Sequence, residues 1–146
     1  MARAELVQLL ESKFVPPLER YAAQLRQLYP NWQVFVRSAA VGSNTTFQGH
    51  SVYIECLFVA QEEHISDNIA LEITLSHLHT DPRLMADVCW GHPQGHIELA
   101  LPFSGTSSEE WPLVNDQILA QVELLLPDLF QALSHAMARG RPPSAS

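Results

Sequence analysis

Apolar and polar residues alternate along five stretches of the chain, with the two-residue period of a half-buried β-strand. In the second stretch, for example, Val52, Ile54 and Cys56 alternate with positions of mixed polarity. Each stretch has one apolar and one mixed face, which is typical of an antiparallel sheet covered on one side. The five stretches lie at residues 32–37, 52–59, 71–76, 84–90 and 96–101.

Both ends of the chain have the three- and four-residue spacing of amphipathic helices. In the N-terminal run, from Leu6 to Leu28, the pair Pro16 and Pro17 interrupts the pattern and predicts a broken or kinked helix near residue 16. The C-terminal run extends from Val114 to Met137, and Pro127 can begin a second helix within it.

This order of elements predicts an α+β fold in one domain. A sheet with one apolar face needs one covering layer, and the terminal helices supply it. We therefore expect a two-layer sandwich: a five-stranded, mostly antiparallel meander sheet with the N- and C-terminal helices packed on one face. The domain is expected to span residues 1–138, and residues 139–146 should form a flexible C-terminal tail.

Matching the apolar faces of neighbouring strands gives a predicted strand register. In the last hairpin, Val88 is expected opposite Leu99, and the turn is then formed by residues His92 to Gly95. A slip of two residues would keep every face and change the pairs. The expected neighbours are therefore less firmly determined than the expected faces.

The uncovered outer face of this sheet is expected to be acidic and partly apolar. Dispersed carboxylates would steer a basic protein towards the face, and a few apolar side chains would supply burial. The residues expected to bind a partner there are Tyr53, Glu55, Leu57, Glu72, Met85, Asp87, Cys89, His96 and Glu98.

Charge and hydropathy exclude several classes of function. The formal net charge is −8, and residues 38–138 carry Arg83 as their one basic residue against 13 acidic ones. Nucleic acids and anionic membranes need a basic surface, so neither is an expected partner. No apolar stretch is long enough to span a bilayer and no secretory leader is visible, so we expect a cytoplasmic protein with Cys56 and Cys89 as thiols.

The first functional hypothesis is therefore a small acidic protein-binding domain without a cofactor. Acidic α+β domains of this outline occur among secretion chaperones and toxin-neutralising immunity proteins, although this is an analogy of architecture that no motif supports. A homodimer formed through the same apolar residues is an alternative. The role of the long connection from Gly42 to Gly49 stays open.

The alternative hypothesis is an enzyme. Pairing Phe58 with Leu71 brings His50 near His79, and with His77 these histidines could bind zinc as a three-ligand site. They could equally be core histidines that bond to backbone groups.

A second cluster could perform nucleophilic or acid–base catalysis. The predicted register puts Cys89 opposite Glu98, with His96 one diagonal step away and Glu72 or Thr74 on the next strand. Thiol, imidazole and carboxylate could then act together. However, carboxylates beside a thiol raise its pKa and make it less reactive, so no catalytic residue is assigned.

Overall fold

The computed structural model describes residues 2–42, 48–59, 66–78, 81–90, 92–101 and 111–139. It confirms the predicted α+β fold: a five-stranded antiparallel sheet with helices packed on it. In chain order the elements are α1 (Arg3–Leu28), β1 (Trp32–Val41), β2 (Gln48–Val59), β3 (Ser66–Leu78), β4 (Asp81–Trp90), β5 (His92–Ala100), α2 (Asp116–Glu123) and α3 (Leu126–Arg139).

The sheet is a meander in which each strand pairs with the next one along the chain. Its inner face forms the core with the helices. Ile54, Leu71 and Val88 lie side by side across three strands of this face, and all three are buried. The alternation seen in the sequence thus separates the two faces as predicted.

The predicted register is wrong in all three hairpins that had been assigned one: Cys89, for example, lies opposite Ala70 instead of Glu72 or Thr74. Leu84, not Val88, lies opposite Leu99, and Ile54, not Phe58, lies opposite Leu71. The differences are slips of two or four residues, which are even and therefore leave every side chain on its predicted face. The last hairpin turns earlier than predicted: β5 already begins at His92, and a bulge follows Asp87.

Helix α1 continues through Pro16 and Pro17, so the predicted break near residue 16 is wrong. Each proline removes one helical hydrogen bond and costs about 3 kcal/mol relative to alanine. The apolar stripe continues across this point, because Phe14 and Leu18 are both fully buried. Burial of each such side chain contributes about 1.5–3 kcal/mol, which offsets the cost of the prolines.

Helices α1 and α3 lie side by side on the inner face of the sheet. Helix α1 packs on β1 and β2, and α3 packs on β3, β4 and β5. Between these helices the rings of Tyr21 and Phe130 stack with centroids 4.4 Å apart. Helix α2 begins with a side-chain cap, since Asn115 Oδ1 accepts a hydrogen bond of 2.9 Å from the Ile118 amide.

The second C-terminal helix begins where Pro127 predicted it. Pro127 is the second residue of α3, a position at which its missing N–H leaves no helical hydrogen bond unmade. The helix extends to Arg139, one residue into the segment that was expected to be the tail.

The outer edge of β1 is partly covered by a side chain from α1. Strand β1 pairs with β2 on one side, and no strand of the described residues pairs with its other side. The Arg26 guanidinium donates two hydrogen bonds to the Val34 carbonyl on this open side, from Nε at 3.1 Å and from Nη2 at 2.8 Å. An edge carbonyl occupied in this way cannot pair with a further strand.

Candidate binding face

One row of outer-face residues crosses all five strands. Arg37, Tyr53, Glu72, Asp87 and His96 are successive partners from β1 to β5. Four of the predicted binding residues lie in this row, although the side chain of His96 is outside the described part. The register thus sets two carboxyl groups, those of Glu72 and Asp87, directly opposite each other.

The other predicted binding residues lie in neighbouring rows of the same face. Glu55 and Cys89 lie on either side of Ala70 and form the next row along the strands, two residues from the row of Tyr53 and Glu72. Leu57 lies one row further in the same direction. Met85 and Glu98 pair in the row on the opposite side. All the predicted residues with described side chains therefore lie on the outer face.

The observed register separates Cys89 from Glu98, which the sequence had placed opposite each other in the predicted catalytic cluster. Cys89 lies opposite Ala70 and Pro93, whereas Glu98 lies opposite Met85. Cys89 and Met85 are four positions apart on β4, which corresponds to about 13 Å. A thiol at this distance from Glu98 cannot share a proton with it.

The outer face is concave at the end where β1 and β2 approach their connection. A depression of about 500 Å³ opens there. Gly42 has a backbone φ of 80°, a conformation that favours glycine, and it lies at the rim where the chain leaves β1. The lining residues are Ala39, Ala40, Val41, Gly42, Ser51, Tyr53, Glu72, Thr74, Met85 and Asp87.

Among the described side chains of the outer face, Glu55 and Glu98 form ion pairs with arginines. Arg83 Nη1 lies 2.6 Å from Glu98 Oε1, and Arg37 Nε lies 3.8 Å from Glu55 Oε1. The acidity of the face is therefore partly neutralised at Glu55 and Glu98. Among the described side chains, the carboxylates that line the depression are those of Glu72 and Asp87.

The electrostatic environment of Glu72 disfavours its ionised form. Partial burial raises the pKa of the Glu72 carboxyl, and the negative charge of Asp87 raises it further. Glu72 forms no hydrogen bond or ion pair with any residue in the described part of the chain. A cation entering the depression would stabilise the carboxylate and return its pKa towards the ordinary value.

Polar and apolar side chains surround this carboxylate pair. Thr74 Oγ1 donates a hydrogen bond of 3.0 Å to Ser51 Oγ, which holds both hydroxyls on the floor of the depression. Tyr53 and Met85 are half-buried and supply apolar surface. The depression therefore combines negative charge with apolar walls, a combination suited to a cationic group on an aliphatic stem.

The cysteines lie on opposite faces of the sheet, so they cannot form the disulfide that the sequence had already argued against. Cys56 is in the core, where burial raises the pKa of its thiol to about 12, with a further contribution from the charge of Glu55. A thiol with this pKa stays protonated and unreactive in the folded protein.

The structure tests only part of the predicted zinc site. His50 lies on the inner face opposite Leu75, and His77 lies opposite Gln48. The side chain of His77 and the whole of His79 are outside the described residues. Within the described part, no three His, Cys, Asp or Glu side chains are grouped so that they could hold a metal ion.

His50 instead takes part in a hydrogen-bonded chain beneath α1. The Ser38 hydroxyl donates to Glu11 Oε1 at 2.8 Å, and Ser38 Oγ lies 2.7 Å from His50 Nε2. Because the hydroxyl has one hydrogen, His50 Nε2 must be the donor to Ser38. The buried Nδ1 of His50 has no hydrogen-bond partner among the described groups, and burial lowers the pKa of the imidazole.

Sequence reasoning missed the two arginines of the outer face and the small residues at the rim of the depression. Arg37 and Arg83 have the outward-facing parity of their strands, so the alternation could have placed them. Their pairing with Glu55 and Glu98 depends on register and could not be predicted from parity. The same applies to the depression, whose shape depends on the backbone.

No family model, curated protein or solved structure matches this chain. Within the described residues, no helix has both the length and the apolar character needed to cross a bilayer.

Proposed function

We propose that this chain binds a basic segment of another protein on the outer face of its sheet. Binding would centre on the depression at the end of β1 and β2. The observation that carries the proposal is the position of Glu72: a half-buried carboxyl opposite Asp87, with a raised pKa. The positive charge of a lysine or arginine side chain seated between these two carboxyl groups would favour their ionised forms and oppose the shift.

The surrounding surface supports a protein partner over a small inorganic cation. Tyr53 and Met85 offer half-buried apolar surface next to the carboxylates. The methylene stem of a long basic side chain can cover this surface, whereas a metal ion or a small inorganic cation cannot. Burial of such anchors provides most of the binding free energy at protein interfaces, and the charges contribute to orientation and association rate.

The test is a titration of isotope-labelled protein with a synthetic peptide in which arginine and serine alternate. We expect amide shift changes in the outer-face residues around Tyr53, Glu72 and Asp87, with an affinity that decreases as ionic strength rises. An equally long peptide of alternating glutamate and serine should cause no change. Shift changes restricted to the helices, or equal responses to the two peptides, would contradict the proposal.

A matched pair of variants separates local binding from overall charge. The double variant E72Q/D87N removes two carboxylates from the depression. The control E55Q/E98Q removes two from the same face, but these form ion pairs with Arg37 and Arg83. Both variants should slow association of the arginine peptide equally, because each removes two negative charges from the face. Dissociation of the peptide should become faster in E72Q/D87N alone. Equal dissociation rates would show that the depression is not the binding site.

Acid–base catalysis is the second candidate function. Two facing carboxyl groups, one of them with a raised pKa, can divide the roles of acid and base when a substrate excludes water. A hydrolysis assay with a panel of glycoside and ester substrates would test this function. Turnover that is lost in E72Q, with a bell-shaped dependence on pH, would favour the enzyme; absence of turnover across the panel favours the binding protein.

A further inference from the structure

The outer edge of β1 is occupied by groups of the same chain at its first residues. The Trp32 amide donates to the Tyr29 carbonyl at 3.0 Å, and the Val34 carbonyl accepts both hydrogen bonds from Arg26. Successive residues of a strand direct their backbone groups to alternate sides, so the even-numbered residues of β1 all face this edge and the odd-numbered ones face β2.

The same edge is open from Val36 onwards. Within the described residues, the backbone N–H and C=O groups of Val36, Ser38 and Ala40 have no hydrogen-bond partner on this side. Ser38 and Ala40 are also exposed to solvent. The second half of β1 therefore presents a row of donors and acceptors that another extended chain can pair with.

This part of the edge lacks common protection against pairing. Many edge strands carry a lysine, a proline or a β-bulge that keeps other strands away. Strand β1 contains neither lysine nor proline, and it pairs with β2 in an unbroken register. The side chains of Ser38, Ala39 and Ala40 are small, and the Ser38 hydroxyl is bonded to Glu11 on α1. A further strand can therefore approach this half of β1 closely.

The open edge also forms one wall of the depression on the outer face. Residues 39–42 line the depression on the side of β1. Ala39 lies opposite Ser51, and Ser51 lies opposite Thr74, so a row of short side chains leads from the edge across the floor of the depression. A long side chain on an added strand can follow this row towards the carboxyl group of Glu72.

We propose that the basic partner segment binds as an additional antiparallel strand on the edge of β1, paired with residues 36–40. This inference rests on the proposed function and specifies how the partner lies. Its backbone would bond to β1, and its alternate side chains would supply specificity. The side chains over the outer face would be lysine or arginine, attracted by Glu72 and Asp87. Those between them would be small, because they face α1 beside Glu11.

The orientation follows from the sheet. Antiparallel pairing continues the order of all five strands and is slightly more stable per residue than parallel pairing. In an antiparallel pair, residues that exchange hydrogen bonds have their side chains on the same face. Val36, Ser38 and Ala40 have inner-face side chains, so they would bond to the small residues of the segment. The amides of the basic residues would then point to solvent.

The test uses the peptide of alternating arginine and serine in two N-methylated forms. Methyl groups on the serine nitrogens remove the donors that would face β1, whereas methyl groups on the arginine nitrogens replace donors that face solvent. We expect binding to be weaker by about tenfold or more for the serine-methylated form and nearly unchanged for the arginine-methylated form. All three peptides carry the same charge, so nonspecific attraction is matched.

Hydrogen exchange locates the pairing on the protein. The amides of Val36, Ser38 and Ala40 should exchange about tenfold more slowly once the unmodified peptide is bound. The amides of Phe35 and Arg37, which face β2, are the internal control and should keep their exchange rates.

A matched pair of variants provides a second readout. Ala40→Pro removes one donor from the open edge, a position at which a sheet tolerates proline, and leaves the pairing with β2 intact. It should weaken binding of the unmodified peptide by about fivefold, and Ala40→Ser, which keeps the donor, should not.

The possible results separate strand addition from the proposed function. Equal binding of all three peptides, with shift changes at Tyr53, Glu72 and Asp87, would overturn strand addition and leave the proposed function standing. A peptide that causes no shift changes would contradict both. Weaker binding of the arginine-methylated form alone would indicate a parallel strand and overturn the proposed arrangement. So would slow exchange at Ser38 and Ala40 before peptide is added, together with a dimer in sedimentation velocity, since the occupant would then be a second copy.

Discussion

Glu72 on β3 and Asp87 on β4 lie directly opposite each other in the antiparallel register, in the depression on the outer face. Like charges at directly opposed positions destabilise a sheet, by about 0.2–1 kcal/mol. The fold thus carries an electrostatic cost at the site where we propose binding, and this cost can be measured separately from the binding itself.

Removal of the Glu72 charge should stabilise the folded protein. The pKa of Glu72 is raised in the fold above its ordinary value of 4.5, so the native state binds more protons than the unfolded state between these two pKa values. The free energy of unfolding therefore decreases as pH rises through that interval. We expect E72Q to raise the free energy of unfolding at neutral pH by about 0.2–1 kcal/mol, measured by urea denaturation.

The control for E72Q is E98Q, which breaks the contact between Glu98 and Arg83. An exposed pair of this kind contributes about 0–1 kcal/mol, so E98Q should be neutral or slightly destabilising. A loss of stability in E72Q at neutral pH would show that the Glu72 carboxylate is stabilised in the fold, and would contradict a cation-binding role for the depression.

Acidification should weaken the packing of α1 on the sheet through His50. Burial lowers the pKa of His50 below its ordinary value of 6.5; Glu11 opposes this shift and Arg3 adds to it. Below pH 6.5, His50 binds a proton more readily in the unfolded chain than in the native state. The stability that neutral His50 contributes is therefore lost as pH falls from 6.5 to the lower pKa of His50 in the fold.

His50→Gln tests this expectation, because a glutamine amide can still donate to Ser38. The free energy of unfolding of H50Q should change less between neutral and mildly acidic pH than that of the unmodified protein. His135→Gln, at an exposed position on α3, should retain the full pH dependence. If the free energy of unfolding of H50Q and of the unmodified protein had the same pH dependence, His50 would not be the source of that dependence.

Arg26 should protect the edge of β1 against pairing with another chain. Its guanidinium donates two hydrogen bonds to the Val34 carbonyl, and bonds from a charged donor contribute about 1.5–3 kcal/mol. We expect R26A to lose about 1–2 kcal/mol of stability and to self-associate at high concentration, as measured by sedimentation velocity. R20A, at an exposed position of the same helix, should stay close to the unmodified protein in both measurements.

Pro16 should destabilise α1 relative to alanine, since the helix continues through it. Pro16→Ala restores one backbone hydrogen bond at an exposed position, and we expect the free energy of unfolding to rise by about 1–3 kcal/mol in thermal and urea denaturation. Gln24→Ala, also exposed on α1, changes helix propensity only slightly and serves as the control. A loss of stability in P16A would mean that the proline itself shapes the path of the helix over the core.

The alternation of residues along the chain was enough to assign most side chains of the sheet to a face. Glu72 and Asp87 both have outward parity, and Ile54 and Leu71 both have inward parity, so the sequence alone predicted which residues share a surface. Helix-period spacing at the two ends likewise predicted the layer that covers the sheet. These features depend only on local periodicity, which can be read directly from the sequence.

Tertiary structure alone decided which of those residues are neighbours. A slip of two residues keeps every side chain on its face, so the pattern could not choose between Cys89 and Asp87 as the partner of Glu72. The choice depends on turn lengths and on packing against the helices. The same packing keeps α1 intact through Pro16 and Pro17, because the buried Phe14 and Leu18 outweigh the local preference of proline to end a helix.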